Sequence, residues 1–274
     1  MSAGELTKAV ILARGLGTRM RRQDQSSALE AAQTRMADTG LKAMIPVGRP
    51  FLDYVLSGLA DAGYREVCLV IGPEHGVVRD YYEKTCIPRR LRVSFAIQEH
   101  PLGTADALAA AQAFTGGEHF LLLNSDNYYP VAACRALLVL GEPAVVGFES
   151  QSLSAQSNIP PERIRQFAAI VTRGDGTLAD IIEKPGEEVM RRLGTEIFVS
   201  MNCWCFGPAI FRACAAITPS PRGELELTDA VQFAIGSLGE RFRVLKFHAG
   251  VLDLSSRGDI TAVREWLGGV EVSL

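Results

Sequence analysis

Apolar residues 9–13 form a short continuous run, another follows at 67–71, and further strands are predicted at 91–97 and 119–123. Runs of this length without alternation are the pattern of buried strands. Between them, residues 51–62 carry apolar positions at helical spacing and end at Gly63. Residues 74–84 predict a second helix. An alanine-rich segment predicts a third, from Gly103 and Thr104 to Phe114, with Thr104 as its cap. Strand and helix in regular alternation predict a parallel sheet with helices on both faces. Ligands on such sheets bind beyond the carboxyl ends of strands, where Gly15, Gln98 and Asp126 all lie.

The second half changes character. A strand at 144–148 precedes a polar loop at 149–161, and strands at 166–172 and 178–183 flank the turn Gly174-Asp175-Gly176, a hairpin signal. Lys184-Pro185-Gly186 breaks the run, and a long apolar strand at 197–206 contains Asn202. Helices at 208–216 and 227–235, a strand at 242–247, the segment Leu252-Asp253-Leu254 and a helix at 259–267 complete the reading. Residues 21–40 are polar and read as an exposed loop with a short helix from about residue 28 to 36, either a lid or an indifferent insertion. No internal repeat is visible, so residues 1–274 are expected to form one continuous domain with a hairpin-bearing second lobe.

Composition narrows the partners. A net charge of −3 argues against a broadly basic nucleic-acid surface, so any phosphate site must come from a local cluster of cations. No apolar stretch reaches the roughly 18 residues that span a bilayer, and the first residues lack the apolar core of a signal peptide. Of six cysteines only Cys203 and Cys205 lie close together, on one face of an extended segment where their thiols could meet. No second Cys/His pair stands at metal-ligand spacing, so zinc is not expected. All six cysteines read as reduced thiols of a cytoplasmic protein.

The chemistry starts where the first strand empties into Arg14-Gly15-Leu16-Gly17-Thr18-Arg19. Glycines let the backbone approach a ligand, successive N–H groups form a nest for phosphate, and Arg19 adds a positive fork. The plainer alternative is a glycine turn with a surface arginine. No Gly-Lys-Ser/Thr follows, so this is not a Walker loop. A third glycine is missing and residues 19–22 open no obvious helix, so it is not a dinucleotide fingerprint either. Asp126, between Asn124 and Asn127, suits Mg²⁺, although such residues also simply terminate strands. Asp253 offers a second carboxylate. Lys42 and Lys184, each alone a surface lysine, join the nest and the two aspartates in a set suited to phosphoryl or nucleotidyl transfer.

These residues carry a resemblance. Residues 12–20, Lys42-Ala43-Met44-Ile45-Pro46, residues 98–105, residues 124–127 and Glu183-Lys184-Pro185 resemble, in order, the sugar-nucleotide pyrophosphorylases (sugar-1-phosphate nucleotidyltransferases). The stretch Arg222-Gly223-Glu224-Leu225-Glu226-Leu227-Thr228-Asp229 is especially similar to one in glucose-1-phosphate thymidylyltransferases. The resemblance implies a Rossmann-like α/β fold of the nucleotide-diphospho-sugar transferase type: a mixed, mostly parallel sheet flanked by helices. A nucleotide-binding half would cover about residues 1–130 and a sugar-binding half about residues 131–274. It implies a nucleoside triphosphate (dTTP or UTP) and a sugar 1-phosphate of a hexose as substrates, with Mg²⁺ as cofactor and homo-oligomers possible.

By position, Leu12, Ala13, Gly15, Gly17 and Thr18 would hold the nucleotide, with Gln98, Gly103 and Thr104 at the base. Arg19, Lys42 and Lys184 would be the catalytic cations, and Asp126 and Asp253 would hold the metal. Asn127, Glu183, Asn202 and Glu224 would contact the sugar. Three departures stand out: Arg14 replaces a small residue, the segment 22–40 displaces a proline-containing one, and Leu254-Ser255-Ser256 replaces a more glycine- and threonine-like sequence. Other readings are a catalytically silent nucleotide- or sugar-sensing module on the same fold, and a glycosyltransferase. The latter usually carries Asp-x-Asp, where Asn124-Ser125-Asp126 supplies a single carboxylate. No C-terminal acetyltransferase-like repeat domain is expected.

Overall fold

The computed structural model describes residues 7–22 and 29–274. Its strands are β1 (Lys8–Leu12), β2 (Glu66–Ile71), β3 (Arg92–Ile97), β4 (Phe120–Asn124), β5 (Asn127–Tyr128), β6 (Ala144–Glu149), β7 (Ala168–Thr172), β8 (Leu178–Ile182), β9 (Phe198–Phe206), β10 (Arg243–Phe247) and β11 (Leu252–Asp253). The main sheet runs β10-β6-β9-β4-β1-β2-β3, with the β7–β8 hairpin joined to β9, and β5 pairs with β11 apart from it. β1 is parallel to β2 and β4, β2 to β3, and β10 to β6. β9 runs antiparallel to β4, β6 and β7. The sheet is therefore mixed, as the resemblance implied, and not wholly parallel as the alternation alone suggested. An apolar run such as β9 carries no signal of direction.

Side chains alternate across each strand, so one strand feeds two cores. Ala9 and Ile11 of β1 enter one core, which the helices Phe51–Ala62, Val131–Leu140 and Asp259–Leu267 cover; Val10 enters the other, under Thr104–Ala110, Ala209–Ala216 and Leu227–Leu238. The result is an α/β Rossmann-like fold with helices on both faces. Among the described residues no helix is long and apolar enough to cross a membrane.

Several local expectations change. Thr18–Arg21 does form a helical turn, because Gly17 takes a left-handed conformation that redirects the chain. The segment after it holds the helix Ala31–Thr39, opened by reciprocal hydrogen bonds between Glu30 and Gln33 and closed by left-handed Gly40. Ala28, where that helix was expected to begin, lies outside the described residues. The loop expected at 149–161 contains the helix Ser150–Ala155, capped by the Glu149 carboxylate, which accepts from the N–H groups of Gln151 and Ser152.

The helix expected at 74–84 begins at Gly76 and widens into a π turn at Tyr81–Thr85, where both tyrosine hydroxyls donate to buried Asp53. The alanine-rich helix breaks at Ala111. Its N-cap is Gly103, not Thr104, whose hydroxyl accepts from the N–H of Leu227 at 2.9 Å. Residues 187–193 form a helix that no pattern announced. Cys203 and Cys205 are both buried and free.

Candidate active site

β1 sits where the strand order reverses, with β2 and β3 on one side and β4 on the other. Such a switch point opens a crevice beyond the strand ends. Backbone hydrogen bonds fix its walls. The N–H of Ser125 donates to Leu12 O at 3.1 Å, that of Ala13 to Val70 O at 2.8 Å, and that of Gln98 to Ile71 O at 2.9 Å. The crevice is a cavity of about 360 Å³ lined by residues 12–19, 40–43, 124–126, Gln98, Pro101, Gly103, Thr104, Ala107 and Glu224. The structure thus gathers Leu12, Ala13, Gly15, Gly17, Thr18, Arg19, Lys42, Gln98, Gly103, Thr104, Asp126 and Glu224 around one space.

The glycine turn is built against Gly40. A Cβ on Gly17 would lie 2.2 Å from the Gly40 carbonyl oxygen, so the two backbones touch and only glycine fits. Arg21 holds the contact by donating from Nε and Nη2 to Thr39 O at 3.1 and 2.8 Å. Buried Arg257 donates from Nε to the carbonyls of Met20 and Arg22 at 3.0 and 2.9 Å and pairs with Asp38. Within the segment read as lid or insertion, Asp38, Thr39 and Gly40 brace the turn. At Gly15, by contrast, a Cβ would meet nothing within 4 Å, leaving room for a ligand.

Lys42, in a 3₁₀ turn after Leu41, reaches across the cavity to Asp126, with Nζ 2.6 Å from Oδ2. Asp253 lies nearby on β11 and is almost wholly buried. Its Oδ2 accepts from Arg163 Nη1 at 2.9 Å, and its Oδ1 accepts from Asn127 Nδ2 at 3.1 Å and Ser255 Oγ at 2.9 Å. Burial first, and the Asp126 charge second, push its carboxyl above the usual range, against the pull of Ser255 and Arg163. Asp126 and Asp253 are thus mutually repelling carboxylates, a donor set that fits Mg²⁺, which takes one or two carboxylates plus substrate phosphates. Among the described residues no group of three or more His, Cys, Asp or Glu side chains could hold a metal ion. Substrate would have to complete the shell.

Gln98 is buried, and its Nε2 donates to Gly103 O at 3.1 Å and to Asp106 Oδ2 at 2.7 Å. Both partners are acceptors, so the nitrogen must face them and Oε1 is left to accept. Gly103 in turn is locked to the chain around Leu225. The N–H of Ala105 donates to Leu225 O at 2.9 Å and that of Leu225 to Leu102 O at 2.7 Å, which carries Glu224 to the cavity wall. Arg222 pairs with Glu226.

Asn127, Glu183, Lys184, Asn202 and Asp253 lie outside that lining. Asn127 is buried, with its amide committed to Asp253 and Leu252 O. Lys184 (φ 42°) and Asn202 (φ 56°) are the two non-glycine residues with left-handed backbone among the described residues. Asn202 sits in β9 opposite a register shift between Val145 and Gly147. Partial loss of water around it raises the Glu183 carboxyl, outweighing the hydrogen bond from Thr228, and the Glu226 charge adds to the rise.

Sequence reasoning missed Gly40, Glu74, Asp106 and Arg163. Gly40 had a signal, a glycine ending a helical stretch. The others are supporting partners distant in the chain, and nothing local marks them.

The nucleotidyl transferase family model matches residues 8–246. A glucose-1-phosphate thymidylyltransferase of Streptomyces griseus is 30% identical over 83% of this chain and 57% of its own length. A low-salt glycan biosynthesis nucleotidyltransferase of Haloferax volcanii is 28% identical over 82% of this chain and 56% of its own length. The chain thus spans little more than half the length of these two relatives. A UTP–glucose-1-phosphate uridylyltransferase of Haloferax volcanii is 26% identical over 90% of both chains. Among solved structures, a UDP-glucose pyrophosphorylase complexed with UDP-glucose superposes with a TM-score of 0.73 at 18% identity, covering 97% of this chain and all of that one.

Proposed function

The chain belongs to the nucleotidyl transferase family, and we propose that it joins a nucleoside triphosphate to a sugar 1-phosphate, releasing pyrophosphate and a nucleoside-diphosphate sugar. The observation that carries this reading is one cavity at the end of β1 that combines a glycine turn, a fixed amide acceptor and the Lys42–Asp126 pair. dTTP or UTP is the favoured nucleotide. Gln98 Oε1 suits the ring N–H of thymine or uracil, and two similar proteins are named as a thymidylyltransferase and a uridylyltransferase. A hexose 1-phosphate is the matching acceptor.

In this reading a phosphate oxygen of the sugar 1-phosphate attacks the α-phosphorus. A new P–O bond forms as the α–β bridge breaks, and pyrophosphate leaves. The nucleophile is already an anion, so no general base is needed, and the barrier is the mutual repulsion of two phosphates. Arg19, Lys42 and Lys184 would relieve it and align the attack. Asp126 and Asp253 would hold Mg²⁺, which supplies further neutralisation of the triphosphate. Glu183, Asn202 and Glu224 would orient the sugar.

The Arg163 contact to Asp253 favours a second reading, a silent sensor of nucleotide or sugar, because it already satisfies the carboxylate without a metal. Pyrophosphate release with Mg²⁺, testing each nucleoside triphosphate against a panel of sugar 1-phosphates, separates the two. Release requiring both substrates supports the transferase and identifies base and sugar. Nucleotide binding by calorimetry with no release from any pair would replace it with the sensor.

A further inference from the structure

Among the described residues a single buried side-chain nitrogen or oxygen has no hydrogen-bond partner, and it is Nη1 of Arg14. Arg14 lines the cavity, yet its side chain is only 7% exposed. Its Nε and Nη2 each lie 3.4 Å from a carboxylate oxygen of Glu74, a long pair that orients the guanidinium and leaves Nη1 unmatched. A Cβ on Gly72 would fall 2.4 Å from Arg14 Nε and from both Glu74 oxygens, so the pair lies directly over the end of β2. β2 has β1 and its glycine turn on one side and β3, leading to Gln98, on the other. An unmet donor on a buried cation is costly, and a ligand acceptor would recover that cost.

From this geometry we infer that Arg14 is a base-specificity residue. Resting on the nucleotide reading above, its Nη1 donates to an exocyclic carbonyl of the base while Gln98 Oε1 accepts from the adjacent ring N–H. The phosphates have other partners, since Thr18, Arg19 and Lys42 line the cavity beyond the glycine turn. A donor and an acceptor on opposite sides of the β2 end match a base edge with a carbonyl next to a ring N–H. Uracil, thymine and guanine carry that edge. Adenine has no carbonyl and an unprotonated ring nitrogen beside its amino group. Glu74 is the positioning residue, because it sets the guanidinium over Gly72.

The test is calorimetric binding of UTP, dTTP, GTP and ATP to the full chain and to Arg14→Met. Methionine keeps much of the buried stem, and Glu74, 51% exposed, stays solvated without its partner. A melting curve of the variant checks that it folds. The expected result is a tenfold to hundredfold loss for whichever carbonyl-bearing nucleotides the wild-type protein binds, with ATP binding unchanged. Glu74→Gln should give a smaller loss of the same selectivity. Equal losses for all four nucleotides would put Arg14 on the phosphates and overturn the inference, as would unchanged binding of all four. Failure of the wild-type protein to bind any nucleotide would instead remove the nucleotide reading itself.

Discussion

Gly103 is the position where fold and candidate site are most tightly joined, so Gly103→Ala is the sharpest perturbation. Its backbone, φ 123° and ψ 179°, lies in a region that only glycine occupies without strain, and an alanine there costs about 1–3 kcal/mol. The new Cβ would also sit 2.4 Å from Leu225 O and 2.7 Å from Leu225 N, contacts with backbone that must shift. Overpacking of this kind adds about 1–3 kcal/mol. Gly117→Ala is the control, with φ 80° and nothing within 4 Å of the added Cβ. Its left-handed strain, about 1–2 kcal/mol, is partly offset by about 0.4–1 kcal/mol of lost unfolded-state entropy. At about 2–4 °C per kcal/mol, Gly103→Ala should lower Tm by at least about 4 °C and Gly117→Ala by less. The same shift moves the carbonyl that holds the Gln98 amide, so kcat/KM for the nucleotide should fall about tenfold or more in Gly103→Ala alone. Matching melting curves and matching kinetics for the two variants would refute the reasoning.

Other expectations follow from the charged groups. Asp126→Asn and Lys184→Ala should each cut pyrophosphate release by about a hundredfold or more while the melting temperature holds, and near-normal turnover in either would sink the assigned roles. Glu149 is buried, which disfavours its charge, but the Ser152 side chain together with the N–H groups of Ser152 and Gln151 outweighs that and holds its carboxyl below the ordinary value. A lowered folded value contributes stability above the ordinary carboxylate range that is lost as pH falls through it. Glu149→Gln should therefore cost about 1 kcal/mol at pH 7 in urea unfolding, with the gap to wild type closing in acid. Glu183 is shifted the other way, so it takes up its proton above the usual carboxylate range. If its ionised form accepts sugar hydroxyls, KM for the sugar 1-phosphate should climb on acidification in wild type relative to Glu183→Gln, whose ratio to wild type would otherwise stay flat.

The parts of the fold legible in the sequence are those encoded locally. Continuous apolar runs give strands, and the helix ending at Gly63 is delimited by spacing and a glycine. The direction of β9 was not legible, because direction is set by which neighbours a strand finds. The helix at 150–155 was missed, and the one expected at about 28–36 runs instead from 31 to 39, for a related reason. Each begins at a glutamate cap, Glu30 or Glu149, outside the usual Ser/Thr/Asp/Asn set. Around the cavity, most of the lining residues sit in short contiguous stretches that the sequence displays. Their supports do not. Asp106 fixes the Gln98 amide, Arg163 holds Asp253 from 90 positions away, and Arg257 clamps the turn from 235 positions beyond Arg22.

The distribution of backbone strain separates the two sides of the candidate site. On the nucleotide side, left-handed positions are glycines, Gly17, Gly40 and Gly103, each in contact with other parts of the structure that a Cβ would strike. That wall is held by packing. On the proposed sugar side, the non-glycine left-handed positions are Lys184 and Asn202, whose side chains make the conformation cost about 1 kcal/mol or more each. Asn tolerates that region better than most residues, and the register shift opposite β9 accounts for the bend at Asn202. Lys184 has neither excuse: lysine has no local hydrogen bond to offer the backbone, and it follows the end of β8 on an exposed surface. Strain held at an exposed lysine is expected where the side chain must be aimed, and the role proposed for Lys184, relieving the repulsion between the two phosphates, supplies that need. Lys184→Gly should then raise stability slightly by releasing the torsion while removing turnover. A glycine variant that loses stability would mean that the lysine is held for the fold instead.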